Sequence, residues 1–568
     1  PVLHCAFPPA AFSLTTRSSA LAALLLASFA VSAQPVRYVA TGGLVYTVDE
    51  PLPRAEAFAV EDGRFVWVGS DTEAAARYPA WPRLDLAGRT VVPGLIDAHA
   101  HLTNLGHALL SADLAGASSK AETLARLRAF EAGLPPGAWL TGRGWDQNVW
   151  AEADGAFPTR HDLDAAFPER PVWLVRIDGH AAWGNTAALR AAGLDPEAPA
   201  PAAPAGGAIL TDAAGRPTGV FIDAAMPLVG AAVPARSAEE EDEALTRALR
   251  ETARHGLTGV HEAGLSLADV ARYRRFIAEG RFPLRLYGMA GGDGDVLAAL
   301  CAGGPIVDPS GRLAVRALKL YADGALGSRG AALLDDYHDD PGNRGLFLTA
   351  PETLRTLATR AMRCGVQVNT HAIGDAGGRA VLEAYEHALT ETGGGPGRHR
   401  IEHAQVLDLD DLPRLARLGL IASVQPTHAT SDMGWAEARV GPERIRGAYA
   451  WRRLVDSGAR LALGSDFPVE RVSPLLGFYA AVTRQDADGR PAGGWYGNQV
   501  LTRAEALRGF TLDAAYAAFM EDEVGSITPG KRADFVILSD DLMTVPPERL
   551  LAIEVVATYL DGAPIFER

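Results

Sequence analysis

The stretch Val91-Val92-Pro93-Gly94-Leu95-Ile96-Asp97-Ala98-His99-Ala100-His101 decides the fold that we predict for this sequence. An apolar run leads through Pro93-Gly94 into a short hydrophobic segment that ends in two histidines one residue apart. Alternate side chains of a β-strand point to the same face, so His99 and His101 project together from a strand end. Neutral imidazole is the commonest metal ligand, and the pair indicates a metal site. Two hydrogen-bonded structural histidines are the alternative interpretation.

Length and composition are those of a large folded protein. The chain has 568 residues, of which 48% are hydrophobic and 21% are charged, enough for more than one domain. The net charge is −16 and no basic cluster is present, which argues against a nucleic-acid partner. We therefore expect a globular protein that acts on a small molecule and has no stable membrane span after processing.

Residues 1–33 have the pattern of a secretory signal peptide. Arg17 precedes an apolar run over residues 20–31, and Val31-Ser32-Ala33 offers small residues for cleavage near Ala33. The apolar run is too short to span a bilayer comfortably. We therefore expect an exported, periplasmic protein, with a disordered alanine-rich leader or an uncleaved anchor as the alternatives.

Cysteine usage limits the covalent framework and the metal ligands. Cys5 lies in the leader, and Cys301 and Cys364 are the other two cysteines. This pattern predicts no obvious disulfide framework. No cysteine has a metal-binding spacing, so any metal site is expected to use nitrogen and oxygen ligands.

Both ends of the mature chain have β-sheet patterns. Residues 36–92 contain alternating apolar segments around the turn signal Glu61-Asp62-Gly63, and residues 524–568 contain a second such signal at Asp561-Gly562. Neither segment has enough strands to bury a core alone. We therefore predict that the two segments form one composite β-sandwich domain.

Between these ends, over residues 93–523, apolar strands alternate with amphipathic helices, the pattern of a parallel α/β fold. Eight strand–helix units predict a (β/α)8 TIM barrel. An inserted hairpin is predicted near residues 206–222. The predicted barrel strands are Val91–Asp97, Val172–Ile177, Gly259–His261, Ala317–Ala322, Gln367–His371, Arg400–His403, Ile421–Gln425 and Arg460–Ser465.

Polar residues of metal-binding type stand at the ends of several predicted strands. Beyond the opening pair these are Lys319, His371, His403 and Asp466. Active sites of such barrels gather at the carboxyl ends of the strands, so these residues are expected to meet in one place. Each has a structural alternative: Lys319 pairs with Asp323, the histidines are buried and hydrogen-bonded, or Asp466 caps a helix.

The order HxH, Lys, His, His, Asp resembles that of the amidohydrolase superfamily. The chain is similar to its amidohydrolase family 3 branch, which is related to N-substituted formamide deformylases, over about residues 36–568. These motifs are specific for the superfamily and much less specific for a substrate. The segments that carry the similarity are PGLIDAHAH, GRGWDQNVW, DGHAAWGNTAAL, KLYADGALGSRGAAL, NTHAIGD, RIEHAQ, LGSDFPV and GSITPGKRADFVIL.

The resemblance implies one or two divalent cations. Lys319 matches a position whose ammonium is often carbamylated, which gives a carboxylate that bridges two metals. Zinc is the default for nitrogen and oxygen ligands with open positions, and iron, manganese or nickel would also fit. The implied metal ligands are His99 and His101 for the more buried ion, His371 and His403 for the more exposed ion, Lys319 and Asp466.

The resemblance also implies catalytic roles for two residues. Asp466 would take a proton from metal-activated water and deliver it to the leaving nitrogen. His180 is the candidate for stabilising the oxyanion, and its alternative role is to hold a loop. Glu262, which closes a predicted strand, is a candidate partner of a metal ligand. The residues predicted to contact the substrate, with loop packing as the alternative for the aromatic ones, are Trp145, Asp146, Arg176, Tyr321, Arg329 and His428.

The function predicted from the sequence is metal-dependent hydrolysis of a non-peptide C–N bond, in an amide or an N-substituted formamide. A deaminase or cyclic-amide hydrolase on the same scaffold is one alternative, and a non-catalytic barrel that binds a small molecule is another. All six implied ligands are present, which argues against the non-catalytic alternative. The sequence is also compatible with a homodimer.

Overall fold

The carboxyl-end cluster predicted from the sequence is carried by a barrel of parallel strands. The computed structural model describes residues 37–153, 155–393 and 397–568, so the predicted signal peptide lies outside the described residues. Each barrel strand pairs in parallel with the next, and Ile306–Val307 adds a short antiparallel strand beside the fourth. The eight strands are β1 (Leu95–Ala100), β2 (Leu257–Leu265), β3 (Arg285–Gly291), β4 (Leu313–Tyr321), β5 (Gln367–Ala372), β6 (Arg400–His403), β7 (Ile421–Val424) and β8 (Arg460–Leu463).

A buried carboxylate joins the last barrel strand to the first. Asp97 in β1 accepts hydrogen bonds from the backbone N–H (3.0 Å) and the hydroxyl (2.6 Å) of Ser465, which follows β8. The backbone N–H of Asp466 donates to the carbonyl of His99 at 2.7 Å. These bonds nearly close the barrel at the end where the predicted metal ligands lie.

One predicted barrel strand is wrong, and one barrel strand was not predicted. Val172–Arg176 pairs in parallel with Leu140–Trp145 but antiparallel with Ala181–Gly184, so it belongs to a separate sheet. The barrel strand that the prediction lacked is β3. Short apolar runs do not show which sheet a strand joins, because strand partners are set by distant residues.

The opening motif is divided between two sheets at Gly94. Thr90–Pro93 is a strand of a terminal sheet, and β1 begins at Leu95. A Cβ atom on Gly94 would lie 2.2 Å from the Thr258 hydroxyl oxygen, so only glycine allows this close approach to β2. The backbone therefore passes directly from the terminal sheet into the barrel.

A six-stranded sheet is inserted between β1 and β2. The predicted hairpin near residues 206–222 forms as two antiparallel strands, but these are only one edge of the inserted sheet. Its core contains Trp145, Trp150 and Trp183, which contact one another. The strands in spatial order are Gly207–Thr211, Pro217–Asp223, Ala181–Gly184, Val172–Arg176, Leu140–Trp145 and Ala112–Asp113.

Strands from the two ends of the chain share one sheet. Phe535–Leu538 pairs antiparallel with Thr90–Pro93, and the ring of Phe535 packs against Phe58 (5.0 Å) and Tyr559 (4.4 Å between centroids). A separate composite domain stays a prediction, because the described residues form one compact unit. A four-stranded sheet contains, in spatial order, Arg64–Gly69, Ala57–Glu61, Arg37–Thr41 and Arg83–Asp85. The six-stranded sheet that both chain ends share contains, in spatial order, Ala563–Glu567, Val555–Leu560, Phe535–Leu538, Thr90–Pro93, Leu44–Tyr46 and Arg54–Ala55.

Helices cover the barrel, and helix Ala238–Arg254 shows why they form. Ser237 and Glu240 make a capping box at its start, and alanine and leucine side chains at helical spacing are buried. Among the described residues no helix is both long and apolar enough to cross a bilayer. The α-helices are Asp71–Arg77, Leu102–Ala108, Lys120–Glu131, Arg160–Asp164, Thr186–Ala191, Pro227–Gly230, Ala238–Arg254, Leu267–Ala278, Asp295–Gly303, Pro351–Arg363, Asp375–Glu391, Leu412–Arg417, Pro426–Asp432, Ala436–Arg444, Trp451–Asp456, Pro474–Thr483, Arg503–Gly509 and Leu512–Ala517.

A disulfide joins Cys301 and Cys364, so the expectation of no disulfide is wrong. Cys301 lies in helix Asp295–Gly303, and Cys364 directly follows helix Pro351–Arg363. Their Cα atoms are 5.0 Å apart, although 63 residues separate them in sequence. The pairing depends on the packing of two helices, which the sequence spacing does not reveal.

We expect the buried His399 to make the fold sensitive to acid. Its Nδ1 accepts a hydrogen bond from the backbone N–H of Val368 at 3.0 Å, and burial lowers its pKa from 6.5 to about 4. The imidazole stays neutral in the fold but protonates in the unfolded chain. Its stabilising contribution is therefore complete above pH 6.5 and is lost as the pH falls toward 4.

The variant His399→Asn tests this, since an asparagine oxygen accepts the same bond without titrating. Chemical denaturation at pH 7 and pH 5 gives the free energy of unfolding at each pH. Between pH 7 and pH 5 this free energy should fall by about 2 kcal/mol more in the wild type than in H399N. His161→Asn is the control, because the side chain of His161 is 69% exposed. An equal loss in the wild type and H399N would contradict the prediction.

Candidate metal centre and active site

The predicted metal ligands converge at the carboxyl end of the barrel. All of them except the fully buried His99 line one cavity of about 830 Å³. The ligands come from β1, β4, β5 and β6 and from the residues after β1 and β8. In chain order they are His99, His101, Lys319, His371, His403 and Asp466.

Short distances join these side chains into one cluster. Asp466 Oδ1 lies 3.6 Å from His99 Nε2 and 3.3 Å from His101 Nε2. The ring of His403 lies 4.8 Å from that of His99 and 4.5 Å from that of His371, centroid to centroid. The six ligands therefore occupy one neighbourhood, as the sequence predicts.

The donor set fits a divalent cation. One nitrogen or oxygen each from His99, His403 and Asp466 lie within 4.8 Å of one another. Asp466 Oδ1 is buried and accepts no hydrogen bond from the described residues. Burial lowers the pKa of His101 to about 4 and the pKa of His371 and His403 well below the usual value. Neutral imidazoles keep the lone pairs that a metal requires.

Two residues that the sequence did not single out orient the histidines. His99 Nδ1 contacts the buried carboxylate of Glu402 at 2.5 Å, and His403 Nδ1 contacts Gln425 Oε1 at 2.8 Å. Each contact occupies Nδ1 and leaves Nε2 for the cluster. Glu402 stands beside His403 in sequence, which was the available signal. Glu262 instead accepts a hydrogen bond from the backbone N–H of Leu102, beside the metal ligands.

Lys319 faces the cluster and does not pair with Asp323. Its Nζ lies 3.3 Å from His99 Nε2 and 4.7 Å from the ring centroid of Tyr321. Asp323 accepts hydrogen bonds from backbone N–H groups of three residues, including Ile373 at 3.0 Å. Burial lowers the pKa of Lys319 to about 8, so the neutral amine is accessible near neutral pH.

His180 reaches the cavity from the inserted sheet. Its Nδ1 lies 2.5 Å from Asp223 Oδ1, and its ring lies 5.1 Å from that of His371. Burial alone would lower the pKa of His180, but the carboxylate of Asp223 outweighs it and raises the pKa to about 9. The residue is therefore a cationic hydrogen-bond donor at neutral pH. Asp223, at the end of the hairpin, was missed because its pairing spans 43 residues.

Four of the predicted substrate-contacting residues line the cavity: Asp146, Arg176, Tyr321 and His428. The guanidinium of Arg176 is already occupied, by Asp178 at 2.5 Å, by Gln147 at 2.8 Å and by Asp146. Arg176 therefore holds together the two loops that carry Asp146 and Asp178. His428 Nε2 lies 3.7 Å from Asp466 Oδ2 and faces the metal ligands.

Two predicted substrate contacts are not brought to the cavity. Trp145 is fully buried in the core of the inserted sheet, and its indole N–H donates to the carbonyl of Leu174 at 2.9 Å. Arg329 forms an ion pair with Asp339 at 3.0 Å outside the cavity lining. Trp145 was misplaced because it ends a strand of the inserted sheet and not of the barrel.

A (β/α)8 barrel with a histidine and carboxylate cluster at the carboxyl ends of its strands has the arrangement of a metal-dependent barrel enzyme. The sequence profile described as "Amidohydrolase family" matches residues 84–566. The chain belongs to this family.

Relatives of known sequence and structure agree with this assignment. The chain is 37% identical over 539 residues to the Bacillus subtilis protein YtcJ, covering 93% of this chain and 99% of that one. It is 31% identical over 541 residues to the N-substituted formamide deformylase of Arthrobacter pascens, covering 92% and 97%. A solved metal-dependent hydrolase from Pyrococcus horikoshii has a TM-score of 0.72 and 28% identity, covering 90% of this chain and 99% of that one.

Proposed function

We propose that this hydrolase cleaves a non-peptide C–N bond in an amide or an N-substituted formamide. The observation that carries the proposal is the buried Oδ1 of Asp466, which lies 3.6 Å from His99 Nε2 and 3.3 Å from His101 Nε2 and has no hydrogen-bond partner in the part of the chain that the structure describes. A carboxylate held there can accept the proton of an attacking water and return it to a leaving nitrogen. The name of the Arthrobacter pascens relative supports the choice of bond.

The residues of the cavity would have two roles, metal binding and stabilisation of the charge that develops on the substrate. His99 and His101 with Asp466 would hold one ion, and His371 and His403 would hold a second. A divalent cation bound there lowers the pKa of water and polarises a carbonyl. From the inserted sheet, His180, whose ring lies 5.1 Å from that of His371, would donate a hydrogen bond to the oxygen on which negative charge develops.

Zinc is the proposed metal, and carbamylated Lys319 is the proposed bridge between two ions. Nitrogen and oxygen ligands suit zinc. The buried Nζ beside His99, with its lowered pKa, suits carbamylation because the neutral amine is the form that reacts with CO₂. Metal analysis, together with the mass of the intact protein before and after mild acid, tests both.

The test is a substrate panel with metal-reconstituted protein. N-formyl and N-acyl amines, cyclic amides and aminated heterocycles are compared, and chelator-treated protein is assayed before and after zinc is restored. We expect zinc-dependent turnover of the linear amides. Turnover of only the cyclic amides or the heterocycles would replace the proposal with the cyclic-amide hydrolase or deaminase, and binding without turnover would indicate a non-catalytic barrel.

We also propose that the protein is exported. The pattern of residues 1–33 supports this, and so does the Cys301–Cys364 disulfide, since disulfides persist in oxidising compartments. Fractionation of cells expressing the full chain should recover protein cleaved near Ala33 in the periplasm. Uncleaved protein in the cytoplasm would overturn the proposal. Light scattering of the same sample tests the homodimer that the sequence allows.

A further inference from the structure

Arg143 lines the active-site cavity, and its guanidinium has no ion-pair partner among the carboxylates that the structure describes. It lies near the end of strand Leu140–Trp145 and lines the same cavity as the metal ligands. One terminal nitrogen donates to the carbonyl of Ile177 at 3.0 Å, and Nε is buried with no acceptor among the described residues. No described carboxylate forms an ion pair with this guanidinium, unlike that of Arg176, which holds Asp146 and Asp178.

Leaving a guanidinium in this state is energetically costly. Burial lowers the pKa of Arg143, and the charges of Asp466 and Asp178 offset this only in part. An arginine nevertheless keeps its proton in proteins, so the charge and the free N–H group remain. A largely buried guanidinium without an ion-pair partner costs free energy, and an anion bound in the cavity that it lines would offset part of that cost.

The backbone around Arg143 leaves room for its guanidinium. Gly179 has a φ of +78°, and a Cβ atom there would lie 3.3 Å from a terminal nitrogen of Arg143. Gly144 has a φ of +110°, and a Cβ atom there would lie 2.5 Å from the backbone nitrogen of Ala115. A side chain at either position would strain the backbone, and one at Gly179 would also crowd the guanidinium.

The position of Arg143 links it to the reacting part of the cavity. Arg143 donates to the carbonyl of Ile177, three residues before His180, and the ring of His180 lies 5.1 Å from that of His371. An anionic group at Arg143 would therefore lie along the wall that carries His180, beside the metal ligands. Planar guanidinium groups bind carboxylates through two parallel hydrogen bonds, which neutral amides match less well.

We propose that Arg143 binds a carboxylate carried by the substrate, so that the preferred substrates are amides of the N-acyl amino acid type. This inference rests on the proposed amide hydrolysis. It adds that the molecule that is cleaved is anionic, and that Arg143 determines this preference. The structure thereby divides the cavity into a metal side from the barrel and a carboxylate side from the inserted sheet.

A matched pair of substrates isolates the carboxylate. N-formylphenylalanine and N-formyl-2-phenylethylamine differ only by that group. The wild type should prefer the first, and Arg143→Met should lower its kcat/KM about 10- to 100-fold while changing that of the second about 3-fold or less. Arg143→Lys should recover part of the loss. Arg128→Met, at an exposed position on a helix of the inserted segment, is the control and should match the wild type.

Binding separates a failure of this inference from a failure of the proposed function. Calorimetry with 3-phenylpropanoate and 3-phenylpropan-1-ol needs no turnover, and R143M should weaken only the first, about 10-fold or more. If neither formamide is cleaved but this difference holds, the carboxylate site stands and the proposed reaction fails. Equal losses for both substrates, or equal affinity of wild type and R143M for 3-phenylpropanoate, would overturn the inference.

Discussion

Replacing Asp466 with asparagine is expected to lower kcat about 1,000-fold while the protein stays folded. The buried Oδ1 of Asp466 lies within 3.6 Å of His99 Nε2 and of His101 Nε2 and has no hydrogen-bond partner among the described residues. Asparagine has nearly the same shape but cannot accept a proton from water. The backbone N–H of residue 466, which bonds to His99 O, is unchanged.

The measurement combines turnover, metal content and melting temperature. Asp522→Asn, at an exposed position, is the control and should retain the wild-type kcat. D466N should melt within a few degrees of the wild type. If D466N regains full activity when metal is added in excess, Asp466 only holds metal and the proton-transfer role is wrong. Full activity without added metal would remove Asp466 from the site.

Replacing Arg285 with methionine is expected to destabilise the fold by about 3–5 kcal/mol. Arg285 begins β3, and its guanidinium binds Asp534 through two bonds, of 2.6 and 2.8 Å, and Asp561 at 2.5 Å. The side chains of Arg285 and Asp534 are 3% and 4% exposed. Burial alone would lower the pKa of Arg285, but these carboxylates raise it above the usual value. Without the guanidinium, Asp534 would remain as a buried, uncompensated charge.

Chemical denaturation of R285M and of a double variant isolates this effect. Arg285→Met combined with Asp534→Leu removes both charges and should recover part of the lost stability, because no lone charge is then buried at Asp534. Arg344→Met breaks an Arg–Asp pair whose side chains are 60% and 41% exposed, and should lower the stability far less than R285M does, because solvent screens an exposed pair. Equal losses in R285M and R344M would contradict the argument.

These predictions follow because different parts of the fold supply metal binding, substrate contacts and stability. The barrel supplies the groups that can hold metal, and the inserted sheet supplies Arg143, His180 and Asp223 to the same cavity. The inserted sheet is therefore where we expect substrate preference to change between relatives. The Arg285 ion pairs join the barrel to the C-terminal strands and act on stability instead.

The barrel and the position of the candidate metal ligands were predictable from the sequence. His99 and His101 alternate on one strand, and His371, His403 and Asp466 each stand at the end of an apolar segment. These are local patterns, because the period of a strand and the boundary between strand and loop involve only neighbouring residues. The carboxyl-end rule for barrels then placed these residues together without knowledge of the pairing.

Only the tertiary structure decided which distant residues meet. The partner of His180, the bond between Cys301 and Cys364, and the place of Arg143 in the cavity wall all depend on contacts between elements that are far apart in sequence. The position of Trp145 also depends on such contacts. The local pattern around Trp145 predicts a strand end but does not show whether that strand belongs to the barrel or to the inserted sheet. Hydrogen bonding, burial and ion pairing act through space, so a linear pattern names the candidate groups and only the packed fold determines their partners.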